Sequence, residues 1–156
     1  MLKHKKGNLI DLAEAGEFAI IIHGCNCFHA MGGGIAKEIA QRYVGAAIAD
    51  KEQTELGAME KLGTWSIYNT GKFIILNCYT QHIVSRNRDV FEYTAFELIL
   101  DKLVRLYPHA KIGMPYIGMG LAGGDKDRII AMIEKAAVKQ VEERAGGTMT
   151  LVEYSV

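Results

Sequence analysis

No apolar run among the 156 residues approaches the length that spans a bilayer. The basic start, Met1-Leu2-Lys3-His4-Lys5-Lys6, is not followed by a signal-peptide core. A soluble, cytoplasmic protein without a membrane partner is expected. Charge of one sign is missing as well: Lys plus Arg number 18 and Asp plus Glu number 18. A neutral chain has no overall field with which to coat nucleic acid, so no direct nucleic-acid binding is expected. Cys25, Cys27 and Cys78 are too few for a disulfide framework and are expected to be reduced thiols. Cys25 and Cys27 lack a second nearby pair, so zinc spacing is absent and small buried packing is the expected role. No motif requires a metal or a cofactor. The Gly-Lys-Ser/Thr of a Walker loop is absent, and Gly32-Gly33-Gly34 does not give the dinucleotide fingerprint with its downstream acid. Repeats, linkers and low-complexity tracts are also missing, and residues 1–156 are read as one domain.

What the sequence does have is two glycine-rich loops, each between a strand-like run and a helix-like run. The first, Met31-Gly32-Gly33-Gly34-Ile35, follows the apolar run 18–22 and His23-Gly24-Cys25-Asn26. The second, Gly118-Met119-Gly120-Leu121-Ala122-Gly123-Gly124, follows Ile112-Gly113-Met114-Pro115. Glycine allows close backbone approach, and a helix that opens on such a loop presents unpaired N–H groups to an anion. Two loops of this kind in a small domain suit the two phosphates of one diphosphate nucleotide.

The remaining pattern frames these loops. A first short strand is expected in residues 1–6, and helical turns at 11–16, 35–43 and 46–55. Residues 64–68 and 73–79 flank Asn69-Thr70-Gly71-Lys72 as a β-hairpin. A polar loop covers 81–88. A long helix is expected at 90–106, with Phe91, Ala95, Leu98, Ile99, Leu103 and Leu106 facing the core, and a strand at 111–117. A last helix at 127–144, N-capped by Asp127, precedes a terminal strand at 149–154. Alternating strands and helices with one hairpin predict a three-layer α/β/α sandwich with a mixed, mostly parallel sheet. Ligands in such sheets sit beyond the carboxyl ends of the strands, where both glycine loops leave.

These residues resemble the macro domain, the ADP-ribose-binding module, over nearly the whole chain. The resemblance runs from Lys5-Lys6-Gly7-Asn8-Leu9 through both loops to the closing strand. In its loop motifs the chain is most similar to the branch of the yeast-type ADP-ribose-1″-phosphate phosphatase. The resemblance implies that Gly32, Gly33, Gly34 and Ile35 contact the diphosphate and distal ribose. It implies that Gly118, Met119, Gly120, Leu121, Ala122 and Gly123 close over the other side. Asn26 would orient the distal ribose, Asn8 would take the place of an aspartate that accepts from the adenine amino group, and Leu9 would line the adenine pocket, with Tyr154 near it. Ala36 and the stretch Cys78-Tyr79-Thr80-Gln81 lack the aspartate and the lysine that two hydrolase branches use.

For catalysis His23, Asn26 and Asp125 are the candidates. His23 is suited to acid–base work by its ordinary pKa, or else it hydrogen-bonds the backbone at a buried strand end. Asp125 either activates water or caps the following helix. His29 is read as solvent-facing, and His82, Arg86 and Arg88 as a solvated loop. The expected activity is hydrolysis of ADP-ribose-1″-phosphate to ADP-ribose and phosphate. The alternatives are a reader of ADP-ribose without turnover, or a hydrolase acting on an ADP-ribosylated protein or on O-acetyl-ADP-ribose.

Overall fold

The computed structural model describes residues 1–84, 89–120 and 122–155. Six strands form one sheet in the order β1-β6-β5-β2-β4-β3. They are β1 (Lys3–Gly7), β2 (Ile20–Cys25), β3 (Trp65–Asn69), β4 (Ile74–Tyr79), β5 (Lys111–Met114) and β6 (Thr148–Tyr154). All neighbours pair in parallel except β3 with β4, which form the hairpin. Strands β2, β4 and β5 are almost wholly buried, as a sheet covered on both faces requires.

Helices α1 (Leu9–Glu14), α2 (Gly34–Arg42) and α3 (Val44–Gln53) cover one face. Helices α4 (Tyr93–Leu106) and α5 (Lys126–Glu142) cover the other. The molecule is therefore a three-layer α/β/α sandwich. Side chains alternate along β2: Ile20 and Ile22 enter the core under α4 and α5, while Ile21 joins Leu9, Ile10, Ile39 and Val152 under α1 and α2. Burying an isoleucine of this kind contributes about 1.5–3 kcal/mol. No helix of the described residues is long and apolar enough to cross a membrane.

Several element boundaries differ from the expectation, among them four at the ends of β2, α4, α5 and β5. Strand β2 runs three residues past the apolar run, because the polar His23 finds a buried partner on β4. Helix α4 begins at Tyr93, and ahead of it Val90 and Phe91 donate their N–H groups to the Ala122 carbonyl at 2.9 and 3.3 Å, as part of the loop that meets the second glycine segment. Helix α5 is capped by Asp125, whose carboxylate accepts from the Arg128 N–H at 3.1 Å, and not by Asp127, which lies inside its first turn. The expected strand at 111–117 stops at Met114, just before Pro115, which has no N–H to donate.

Candidate functional site

Strands β1, β6, β5 and β2 are parallel, so their carboxyl ends share one edge of the sandwich. A cavity of about 560 Å³ opens there. Its walls are Gly7 at the end of β1, Leu9 on α1, and Gly34, Ile35 and Glu38 on the first turns of α2. Pro115 and Tyr116 follow β5, and Val152, Glu153 and Tyr154 close β6. The floor is apolar and the rim carries carboxyl and phenol groups, the makings of a slot for a flat ring with polar edges. A shallower hollow beside it is lined by Asn8, Asp11 and Ser155.

Gly33 is the N-cap of α2 and makes no side-chain cap, so the N–H groups of the first turn are left without one. Together with the helix dipole they favour an anion. A Cβ built on Gly32, Gly33 or Gly34 meets no atom within 4 Å. Nothing inside the protein therefore demands glycine at 32 or 33. Only Gly34, with φ of 54°, needs it for its own backbone.

The second loop is built the other way. A Cβ on Gly118, whose φ is 75°, would run into the ring of Phe91, and one on Gly123 into the carboxylate of Asp89. Gly124 donates to the Gly118 carbonyl at 2.7 Å, and Gly123 donates to that of Gly120 at 3.0 Å. The loop is thus clamped on the segment that leads into α4. At Gly120 alone of these four a Cβ would meet open space. Ala122 is buried, and Leu121 lies outside the described residues.

Of the binding residues suggested by sequence, Leu9, Gly34 and Ile35 line the cavity. Gly32, Gly33, Gly118, Met119, Gly120, Ala122 and Gly123 belong to the two loops and are not in its wall. Asn8 borders the adjoining hollow but is engaged elsewhere. Its Oδ1 accepts from the Asp11 N–H at 3.0 Å as the N-cap of α1, and its Nδ2 donates to Glu38 Oε1 at 2.8 Å. One of the two lone pairs of the Asn8 oxygen is thus taken by the α1 cap, and the expected acceptor role toward adenine would have to use the other. Glu38, Tyr116, Val152 and Glu153 are cavity residues that sequence reasoning missed. Glu38 had one available signal, its place one turn beyond Gly34 on the same helical face.

None of the three catalytic candidates presents a free functional group to the cavity. His23 is wholly buried on the α3 side of the sheet. Its Nε2 lies 2.6 Å from Asn77 Oδ1. The amide of Asn77 donates to the Ala46 carbonyl at 3.0 Å and to Ser66 Oγ at 2.9 Å, which leaves its oxygen to the histidine. Nε2 is therefore the protonated nitrogen and donates. The chain of polar groups continues from Ser66 to the Tyr79 hydroxyl at 2.8 Å, which donates to Asp50 at 2.6 Å. Burial lowers the His23 pKa to about 4, against the opposing pull of Asn77 and Asp50. An acid–base role is corrected to a structural one, since a ring enclosed and neutral at pH 7 does not reach a ligand.

Asn26 braces the first loop: Oδ1 accepts from the Phe28 N–H at 2.9 Å and Nδ2 donates to the Ala30 carbonyl at 2.8 Å. Asp125 is exposed, but one carboxylate oxygen caps α5, and its N–H donates to the Tyr93 hydroxyl at 2.9 Å. His29 is half-buried and bonded to Thr54 Oγ1 at 3.0 Å, and His82 is bonded to the Gly57 carbonyl at 2.9 Å. Both histidines are thus tied down rather than free in solvent. Arg86 and Arg88 lie outside the described residues. Cys25, Cys27 and Cys78 are buried free thiols, and burial raises the pKa of each, so none is primed as a nucleophile. Among the described residues no group of three or more His, Cys, Asp or Glu is placed to hold a metal ion.

Comparison with known proteins follows the same outline. No protein-family model matches the chain. An uncharacterised 17.5 kDa protein of Enterobacteria phage T4, from its tk-vs intergenic region, is 35% identical over 151 residues, covering 89% of this chain and 92% of the phage protein. Among solved structures, the macrodomain of Mycobacterium tuberculosis DarG superposes with a TM-score of 0.73 at 19% identity, covering 97% of both chains. A Trypanosoma brucei macrodomain in complex with ADP-ribose gives 0.67 at 16% identity, covering 98% of this chain and 63% of that one. At such identities these likenesses establish the fold.

Proposed function

Because the chain belongs to one family with the phage T4 17.5 kDa protein and has the macrodomain fold, we propose that it is an ADP-ribose-binding protein. One observation carries this reading: Gly32 and Gly33 at the open start of α2 have no internal reason to be glycine, and they stand beside a cavity of about 560 Å³. Side chains missing where the protein itself does not need them missing leave room for something else. The uncapped N–H groups suit a diphosphate, and the apolar slot between Leu9, Ile35 and Val152 suits the base. The second loop would lie over the far side of the diphosphate and the distal ribose. The ligand is free ADP-ribose, a small derivative of it, or the ADP-ribose of a modified protein.

Binding without turnover fits best, because His23 and Asn26 are consumed by internal hydrogen bonds. A second reading, hydrolysis of ADP-ribose-1″-phosphate in the manner of the yeast-type enzyme, is supported by the exposure of Asp125 beside the second loop. There the carboxylate would hold the attacking water, and the backbone donors would stabilise charge on the phosphoryl oxygens.

Calorimetric titration with ADP-ribose, followed by incubation with ADP-ribose-1″-phosphate and an ADP-ribosylated protein, separates these readings. Binding with no product supports the reader. Phosphate release that is lost in Asp125→Asn while binding persists supports the phosphatase. A protein that takes up no ADP-ribose refutes both.

A further inference from the structure

We infer that Glu38 is the residue with which the cavity reads the base, its free oxygen accepting a hydrogen bond from the exocyclic amine of adenine. The inference rests on the ADP-ribose reading above and adds the element that selects the nucleotide. Among the cavity residues Glu38 sits on the same helix as the glycine triplet, one turn on from Gly34. Its side chain is about one-third exposed (31%), so it is held by the protein and still open to a ligand.

What holds it is specific. Asn8 Nδ2 donates to Glu38 Oε1 at 2.8 Å, and Arg42 donates to the same oxygen at 3.3 Å. Arg42 is fixed in turn by Asp11 at 2.8 Å and Glu14 at 2.9 Å. Among the described residues Oε2 takes no hydrogen bond, so one acceptor oxygen remains. A single acceptor fits a base that presents one amine. Guanine would present two donors in a fork and needs two acceptors side by side. Asn8 is engaged at both ends of its amide, Oδ1 by the Asp11 N–H and Nδ2 by Glu38, and carries no charge to strengthen a further bond. It is a positioning residue that acts through Glu38.

The arrangement makes an unusual swap available. Asn8 Nδ2 and Arg42 are both donors, so the side chain they hold must offer them oxygen. In Glu38→Gln the amide oxygen turns to them and the NH₂ turns to the cavity. An acceptor for the base becomes a donor. Adenine, with its amine, is then disfavoured, and hypoxanthine, with a carbonyl in the same place, is favoured.

The test is calorimetry with ADP-ribose and with inosine diphosphate ribose on the whole chain. Wild type is expected to prefer ADP-ribose by about tenfold or more. Glu38→Gln is expected to lose about tenfold in affinity for ADP-ribose and to reverse the preference. Glu38→Ala, which offers neither group, is expected to bind both compounds alike. A ratio between the two ligands that stays at the wild-type value in both variants overturns the assignment while leaving ADP-ribose binding intact. Wild type that binds neither compound overturns the ADP-ribose reading itself, and this one with it.

Discussion

The two glycine loops leave neighbouring parallel strands at one edge of the sheet, and in composition they look alike. Their surroundings are opposite. The first loop faces its glycines outward, and a Cβ on Gly32 or Gly33 would touch nothing. The second packs its glycines inward, with Gly118 against Phe91 and Gly123 against Asp89. The titratable residue attached to each loop reverses the pattern: His23, before the first, is sealed in the core, while Asp125, after the second, is exposed. Glycine content therefore says little by itself. It marks a ligand surface only where the protein's own packing leaves the space unclaimed, and a titratable residue next to such a loop is no guide to which side it faces.

The most severe way to probe this contrast is Gly118→Val. It combines a left-handed backbone with a collision against Phe91, and a loss of roughly 3–5 kcal/mol in urea unfolding is expected. An unfolding midpoint near that of wild type would show that the second loop is as free as the first.

The next largest effect concerns His23. Its pKa is about 4 in the folded chain and near 6.5 when unfolded, so the unfolded chain binds the extra proton between those values. The stabilisation is present above about pH 6.5 and is lost as pH falls towards 4, by something of the order of 3 kcal/mol. Nuclear magnetic resonance of the imidazole should show no titration between pH 8 and 5. A midpoint near 6.5 would place the ring in contact with water and revive an acid–base role.

Gly33→Val reverses the outcome of Gly118→Val. Gly33 has ordinary extended angles (φ −138°, ψ 154°), so a side chain is sterically tolerated and costs the fold about 1 kcal/mol, through the poor N-cap preference of valine. The new side chain projects over the first turn of α2, and ADP-ribose affinity should drop by about a hundredfold, some 2.7 kcal/mol. A large fall in melting temperature, or unchanged affinity in calorimetry, would break the distinction between the two loops.

The smallest effect is Asp125→Ala, which removes the α5 cap and should cost about 1 kcal/mol of stability by thermal melting. ADP-ribose affinity should not change. A loss of affinity beyond threefold would bring Asp125 to the ligand.

Much of the architecture was legible because apolar runs and periodicity are local signals. The buried isoleucines of β2 and the hairpin around Gly71 could be read from neighbours in sequence. The core stripe of α4 could be read only in part: Ala95, Ile99 and Leu103 are buried as expected, Phe91 is buried just ahead of the helix, and Leu98 and Leu106 are exposed while Phe96, Leu100 and Val104 face the core. What could not be read depends on partners far along the chain. His23 and Asn77 are 54 residues apart, and only their parallel register brings them opposite each other. Asn8 and Glu38 are 30 apart, and the capping demand of α1 decides which end of the Asn8 amide turns to Glu38. Asp125 and Asp127 offer the same chemistry two residues apart, and the choice of cap is made by where the second loop ends.

The pairing of β1 with β6 brings two strands far apart in sequence together as the two jaws of the cavity. Gly7 and Leu9 are synthesised more than a hundred residues before Val152 and Tyr154. A nascent chain that has already built α1 through α5 still has half of this slot missing. Closure of the cavity is thereby deferred until synthesis reaches β6, and on the ADP-ribose proposal truncated products lacking that strand should be both incompletely paired and blind to the ligand.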